Sequence, residues 1–453
     1  MSKRVLLFAA TTGYQVHSFA EAAEHLGFEL VLATDRCHVL DDPWGDHAVA
    51  LKTEDPATRG PFDGVLAVGD EPAVEAAQAA ERLGLRFSPP HAVVAAKNQF
   101  LSRERFQKAG LLVPEYRLNA PPARYPCVLK PVGLSASRGV IRANDDREFA
   151  AALARIQKLV EHEADRSIQV EDFIPGREFA LEGLVTRGRL QVLALFDKPD
   201  PLDGPFFEET IYVTPSRQSA ETQSAIFETT QRAVAALGLS DGPIHAEMRV
   251  NDSGVWMLEV AARPIGGLCS RVLRFEDGIA LASAGALVSL TTGLMTERGG
   301  GGTATEAKTS RHEDRLVGMT AGPTSELAGM TVGLALEEIL LRHATGEDVS
   351  QVRLAPGAHA VMMIPIPRAG VYHGVEGLER ARAVEKIEDV VITAKEGQMM
   401  LPLPDGSSYL GFIFARVSLP YGEAGSPEKA EAAVRESHSY LRFEFATALP
   451  VVK

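Results

Sequence analysis

The run Ile244-His-Ala-Glu-Met-Arg-Val-Asn-Asp-Ser-Gly-Val-Trp-Met-Leu-Glu-Val-Ala-Ala-Arg263 decides how the chain is read. Two apolar, alternating stretches flank the turn cluster Asn251-Asp-Ser-Gly254, which predicts a β-hairpin. A three-residue loop of Asp252, Ser253 and Gly254, with glycine in the left-handed position, sets Asn251 opposite Val255. Glu247 then faces Glu259. Directly opposed Cβ atoms lie about 4.5–5.5 Å apart, where like charges destabilise a sheet unless something neutralises them. Hard Mg²⁺ suits such a carboxylate pair; a solvated hairpin face is the plain alternative. Strand alternation adds His245, Arg249, Met257, Ala261 and Arg263 to the glutamate face and turns Trp256, Leu258 and Val260 away.

Upstream of this hairpin, Phe179–Val185 and Arg189–Phe196 read as antiparallel strands joined at Arg187-Gly188. They follow Glu171-Asp-Phe-Ile-Pro-Gly-Arg-Glu178, a strand running into a turn. Its extended backbone can hydrogen-bond a nucleobase edge, Phe173 and Ile174 offer apolar walls, and Glu178 can accept from ribose hydroxyls. Further back, Lys130 ends a strand, Cys127–Lys130, beside a proline, a placement that aims an ammonium into a cleft. The turn after it, Val132-Gly-Leu-Ser-Ala-Ser-Arg-Gly-Val140, carries Ser135, Ser137 and Gly139 and can close over phosphates. Lys97 is expected within a helix spanning Ala95–Ala109, and a further helix at Asp145–Glu161. Taken singly, each lysine reads equally as a solvated surface residue and the loop as an ordinary hairpin turn.

The first 90 residues alternate strands and helices: Val5–Ala10, His17–Leu26 closed by Gly27, Glu29–Ala33, a strand in Asp63–Gly69, Glu71–Leu83 closed by Gly84, and a short strand at Leu85–Phe87. That order implies a parallel sheet with crossover helices. No G-x-G-x-x-G follows the first strand, only Ala10-Thr-Thr-Gly13, so a nicotinamide dinucleotide is not indicated. After the hairpin, Gly278–Thr296 reads as a buried helix, and a Gly-rich insertion spans about 297–325. The tail from about 346 reads as short strands, including Ala360–Pro365, and a helix capped by Ser426 with Pro427 first.

At 453 residues the chain suggests about three domains. We expect them at 1–90 (α/β), 91–345 (α+β) and 346–453 (mostly β, α+β). A formal charge of −14 provides no general cationic surface for a phosphate backbone, which disfavours nucleic acid as the main partner. Three scattered cysteines without a C-x-x-C pair imply a reducing, cytoplasmic setting. The N-terminal apolar run is too short for a secretory signal, and no membrane partner is expected.

In this order and spacing, the segments resemble the ATP-grasp superfamily of carboxylate–amine ligases, over about residues 1–295. The resemblance implies an ATP-grasp fold with an N-terminal Rossmann-like domain, and ATP with Mg²⁺ (or Mn²⁺) as cofactors. It implies that Lys97 and Lys130 contact phosphates, that the loop with Ser135, Ser137 and Gly139 covers them, and that the strand with Glu171, Phe173 and Ile174 holds adenine. Glu178 would bind ribose, Glu247 and Glu259 the metal, and Arg263 and Lys130 would act in catalysis. Many relatives carry Glu-x-Asn-x-Arg where this chain has Glu259-Val-Ala261-Ala-Arg263, so one metal ligand is missing. That variant, Gly266-Gly267, and the tail segments Gly374-Val-Glu-Gly-Leu-Glu379 and Pro404-Asp-Gly-Ser-Ser-Tyr-Leu-Gly-Phe-Ile-Phe-Ala-Arg416 look most like the bacterial L-amino acid ligases.

The expected reaction joins a carboxylate and an amine, both from amino acids, through an acyl phosphate. Glu209, in Phe206-Phe-Glu-Glu-Thr-Ile-Tyr212, is placed to pair with an amino group, while Gly266 and Gly267 leave room beside Arg263. A homodimer is allowed. The alternatives are a purine-pathway or biotin-carboxylase-like enzyme and a catalytically silent ATP-binding protein.

Overall fold

A computed structural model describes residues 2–10, 15–34, 59–277, 333–417 and 426–446, and the backbone of a strand at Ala48–Ala50. The helix expected at Gly278–Thr296, the insertion at 297–325 and most of the turn before Gly13 lie outside the described residues.

Apolar runs near the N-terminus pair in parallel, in the order Ala48–Ala50, Glu29–Thr34, Arg4–Ala9, Gly64–Val68. Helices Val16–Leu26 and Asp70–Leu83 end at Gly27 and Gly84, whose φ values of 66° and 65° are the left-handed caps that glycine tolerates. Leu85–Phe87 is not the expected strand. Leu85 and Phe87 instead pack, partly buried, against a core that includes Leu6, Phe8, Ala67 and Ala76. A Cβ on Gly64 would sit 2.8 Å from the Ala344 carbonyl oxygen, so the helix Leu336–Ala344 covers the Gly64–Val68 strand.

The expected single helix over Ala95–Ala109 is two, Pro90–Lys97 and Gln99–Lys108. Asn98 breaks it: its backbone is extended (φ −87°, ψ 111°) and its side chain accepts from the Leu101 N–H as an N-cap. Lys97 thus closes one helix, and Gln99 opens the next.

Eight antiparallel strands form the central sheet: Gly254–Ala261, Asp241–Asn251, Arg177–Thr186, Arg189–Asp197, Ile211–Thr214, Ala358–Ile364, Gly411–Val417 and Ile387–Ile392. The last three come from the C-terminal region, so the sheet runs across residue 345. A separate four-stranded sheet, Tyr116–Leu118, Ile168–Asp172, Cys127–Pro131 and Ile141–Ala143, is backed by the helix Asp146–Leu159 and stands over the central sheet with its own small core. The C-terminal helix Pro427–Ser439 is capped by the Ser426 hydroxyl, as expected. Among the described residues no helix is long and apolar enough to cross a membrane.

The deciding hairpin pairs Glu247 with Glu259, but by another route. Its loop is two residues, Asp252 and Ser253, with Asn251 opposite Gly254. The Asn251 side chain accepts from the Ser253 N–H at 2.9 Å, an Asx turn that tightens the loop. That register is shifted by one until a bulge at Leu258 restores it between Met248 and Glu247. Because a one-residue slip exchanges faces, Met257 joins Met248 in the core, not the glutamate face. Trp256 lies opposite Arg249, and Leu258 lines the cleft, both contrary to the expectation.

Candidate active site

The four-stranded and eight-stranded sheets enclose a cleft lined by Lys130, Ser135, Ser137, Glu171, Phe173, Ile174, Glu178, Glu209, Glu247, Glu259, Arg263 and Gly267 among others. Residues expected from separate segments therefore converge. Two do not. Lys97 lines a smaller adjoining cavity and pairs with Glu71. Gly139 is structural: at φ 75°, a Cβ there would lie 2.7 Å from the Pro131 ring, and its N–H donates to the Pro404 carbonyl at 2.9 Å.

On the four-stranded side, Lys130 Nζ lies 2.8 Å from Glu171, whose other oxygen accepts from Arg103 Nε at 2.6 Å and Gln169 at 2.7 Å. Burial alone would raise the Glu171 pKa. The two cations overcome it and hold the carboxyl down at about 2. Ala136 and Ser137, at φ 56° and 54°, turn the serine loop toward the cleft. Phe173 is stacked by the Arg142 and Arg249 guanidinia at 4.1 and 5.0 Å.

The eight-stranded side carries the carboxylates. Lys198, which the sequence reading did not single out, is buried among Glu178 at 3.0 Å, Glu247 at 2.8 Å and Glu209. Ligand atoms of these three glutamates lie within 4.8 Å of one another. Burial opposes the Lys198 charge, yet the surrounding carboxylates hold its pKa well above the usual lysine range. Burial and Glu247 push Glu209 up to about 7. The Lys198-Pro199 pair repeats the strand-end lysine and proline that drew attention to Lys130-Pro131, so the same signal was present.

His245 bridges Glu182 at 3.2 Å and Glu247 at 3.6 Å. Desolvation would lower its pKa, but hydrogen bonds to both glutamates carry it to about 9. Glu182 also accepts from the Ile265 N–H at 3.1–3.2 Å, tying the loop after Arg263 to the sheet. Glu259 accepts from Gln99 Nε2 at 2.8 Å, and burial followed by Glu247 and Asp70 raises its pKa. Arg263 reaches across to Asp70 at 3.0 Å, at the start of the helix Asp70–Leu83, which holds its guanidinium at the cleft. Gly267 takes φ 61°, where a Cβ would stand 3.0 Å from the Phe412 ring, whereas a Cβ on Gly266 would meet nothing within 4 Å. Room at the site thus comes from Gly266, and Gly267 serves the turn.

Residues 123–272 match the ATP-grasp domain, and residues 362–446 match the L-amino acid ligase C-terminal domain 2. The chain is 27% identical over 221 residues to an alanine–anticapsin ligase of Bacillus subtilis, covering 42% of this chain and 46% of that protein. It is 28% identical over 211 residues to a D-alanine–D-alanine ligase of Campylobacter concisus, covering 44% and 58%. The matched stretches thus span about half the length of these relatives. In structure it is similar to the L-amino acid ligase from Bacillus licheniformis, with a TM-score of 0.69 and 23% identity over 98% of this chain and 99% of that one, a likeness of fold. With both matches falling on the sheets that enclose the cleft, the chain carries an ATP-grasp domain followed by a C-terminal domain of the L-amino acid ligase type.

Proposed function

We propose that the protein is an ATP-dependent carboxylate–amine ligase that joins amino acids through an acyl phosphate. The observation that carries this reading is a cleft with walls of opposite charge: Lys130, backed by buried Arg103, on one side, and the four glutamates Glu178, Glu209, Glu247 and Glu259 on the other. A polyphosphate needs the first wall, and a metal ion and a substrate ammonium need the second.

In the first step a substrate carboxylate oxygen bonds to the γ-phosphorus of ATP and the bond to ADP breaks. In the second an amine bonds to the carbonyl carbon, phosphate leaves and the amine loses a proton. Lys130 would hold the phosphate oxygens, with the Ser135–Ser137 turn closing over them. Glu171, Phe173 and Ile174 would border adenine and Glu178 the ribose. Glu209 would pair with the ammonium of the first amino acid, and Arg263 would stabilise charge on the transferred phosphoryl group. Lys97 would reach the phosphates from the adjoining cavity only after leaving Glu71.

Glu247 and Glu259 fit a hard divalent cation. They face each other across the hairpin, offer only oxygen, and destabilise each other when both are charged. Bound Mg²⁺ or Mn²⁺ would neutralise phosphate oxygens and help hold the reacting groups in line.

The test is ADP release with ATP, Mg²⁺ and a broad panel of paired amino acids, with products read by mass spectrometry. Amino-acid-dependent ADP and phosphate, with a product one water lighter than the pair, is the expected result. ATP binding without ADP release above background on any pair would instead establish a catalytically silent protein.

A further inference from the structure

Among the described residues, Glu259 has one side-chain hydrogen-bond partner that belongs to neither strand of the hairpin. Gln99 opens its helix at the Asn98 break, lines both the cleft and the adjoining cavity, and donates Nε2–H to Glu259 at 2.8 Å. Only the NH₂ end of an amide can face a carboxylate oxygen, so this contact fixes which way the amide points. Its Oε1 is then turned aside, buried, and without a hydrogen-bond partner among the described residues. A buried acceptor left unpaired is unfavourable, so such an oxygen is expected to have a partner when the site is filled. Ala261, two residues beyond Glu259 on the same strand, offers no ligand atom.

We propose that Gln99 Oε1 is a neutral ligand to the cation held by Glu247 and Glu259, supplied by a helix rather than by the hairpin. Two carboxylates and an amide oxygen form an all-oxygen set of the kind hard divalent cations take. The Nε2–H bond to Glu259 fixes both ligands at once. The proposal rests on reading Glu247 and Glu259 as a metal pair.

The test is Mn²⁺ titration of the full chain, followed by loss of the free-ion electron paramagnetic resonance signal, for wild type, Gln99→Leu and Gln99→Glu. Folding of each is checked by thermal melts; Gln99→Ala replaces Gln99→Leu if the latter does not fold. Gln99→Leu should bind Mn²⁺ at least tenfold more weakly. Gln99→Glu should bind at least as tightly as wild type, because the oxygen is kept and a negative charge added. A residue that merely orients Glu259 through its N–H would behave in the opposite way: Gln99→Glu lacks the donor, repels Glu259 and would be as weak as Gln99→Leu. That result, or unchanged binding by Gln99→Leu, overturns the proposal while leaving the metal pair intact. A wild-type chain that takes up no Mn²⁺ overturns the metal pair itself.

Discussion

Two lysines, half-buried Lys130 in the cleft wall and buried Lys198 behind the cleft's glutamates, are used in opposite ways. Lys130, on the four-stranded sheet, shares a single carboxylate, Glu171, with Arg103, which leaves cationic charge over. Lys198, on the eight-stranded sheet, is shared by Glu178, Glu209 and Glu247, which leaves anionic charge over even with Arg249 on Glu178. In a desolvated cleft such surpluses act strongly, because water does not screen them. One wall is short of an anion and the other of a cation, so a phosphate chain carrying a divalent cation would satisfy both. Burial of a lysine does not reveal which kind of wall it serves; the number of carboxylates around it does.

The sharpest break in this asymmetry is Glu259→Gln. It removes a proposed metal ligand and with it the repulsion from Glu247. Turnover should fall by roughly 10²–10³-fold or more, while the melting temperature stays level or rises. Steady-state ADP release and a thermal melt check both; wild-type rates in this variant would sink the assignment of the metal pair.

Lys198→Met comes next and acts on stability. It leaves three carboxylates around an uncharged side chain, a loss of about 3–5 kcal/mol by analogy with broken buried pairs. Without the lysine, which holds down the carboxyls of Glu209 and Glu247 against burial, the folded-state pKa values of these two rise above the unfolded ones. Their protonated forms then favour folding at low pH, and stability is lost as pH rises through the raised values. Denaturant unfolding at pH 5 and pH 8 should show the larger deficit at pH 8. An equal deficit at both would mean that Lys198 is not the counter-charge of the cluster.

Features made by neighbouring residues were legible in the sequence. The parallel sheet follows from apolar runs punctuated by Gly27 and Gly84. The Glu247–Glu259 pairing follows from the turn at Asn251–Gly254, although the real loop is shorter and a bulge at Leu258 compensates. What failed were features created by partners far away in the chain. Arg103 sits in Ser-Arg-Glu-Arg, a solvated-looking helix turn, and is fully buried where Glu171 of the four-stranded sheet and the Leu258 carbonyl of the hairpin accept from it. Lys198 becomes central through Glu178, Glu209 and Glu247, three glutamates on different strands or loops. Lys97 reads as the charged residue near a helix start at Ala95, but the Asn98 cap moves that start four residues on, to Gln99, and gives the cleft Gln99 instead.

Arg103→Leu tests the cationic wall with a smaller effect, because Glu171 keeps Lys130. A loss of about 2 kcal/mol is expected at neutral pH, below that of fully breaking a buried pair. Glu171 has a folded pKa of about 2, below its unfolded value, so it contributes stability above the ordinary glutamate range that is lost as pH falls toward 2. The gap between wild type and Arg103→Leu should therefore narrow from pH 6 to pH 3. A gap constant over that range would show that Arg103 acts by packing alone.

The smallest expected effect lies where the two sheets are fastened together at the surface. Arg155 Nε and Nη2 clasp both Asp405 carboxylate oxygens at 3.0 and 2.6 Å, and Arg138 Nε donates to the Asp405 carbonyl at 3.3 Å. Beside them the Gly139 N–H meets Pro404. These contacts join the helix and serine loop of the four-stranded sheet to the C-terminal region, so they hold the cationic wall over the carboxylate wall. The side chains of Arg155 and Asp405 are nearly half exposed, and exposed pairs contribute only about 0.2–1 kcal/mol. Asp405→Asn should therefore leave the melting temperature almost unchanged. The same fraction of a kilocalorie, applied to opening of the cleft, would speed ADP release by about 1.4- to fivefold. Raising salt should speed release from wild type and leave the variant unaffected, since screening removes what the substitution has already removed. The exchanged pair Arg155→Asp with Asp405→Arg should restore the wild-type rate. Stopped-flow ADP displacement measures all of these, and an off-rate that none of them moves would show that the walls are held together without this clasp.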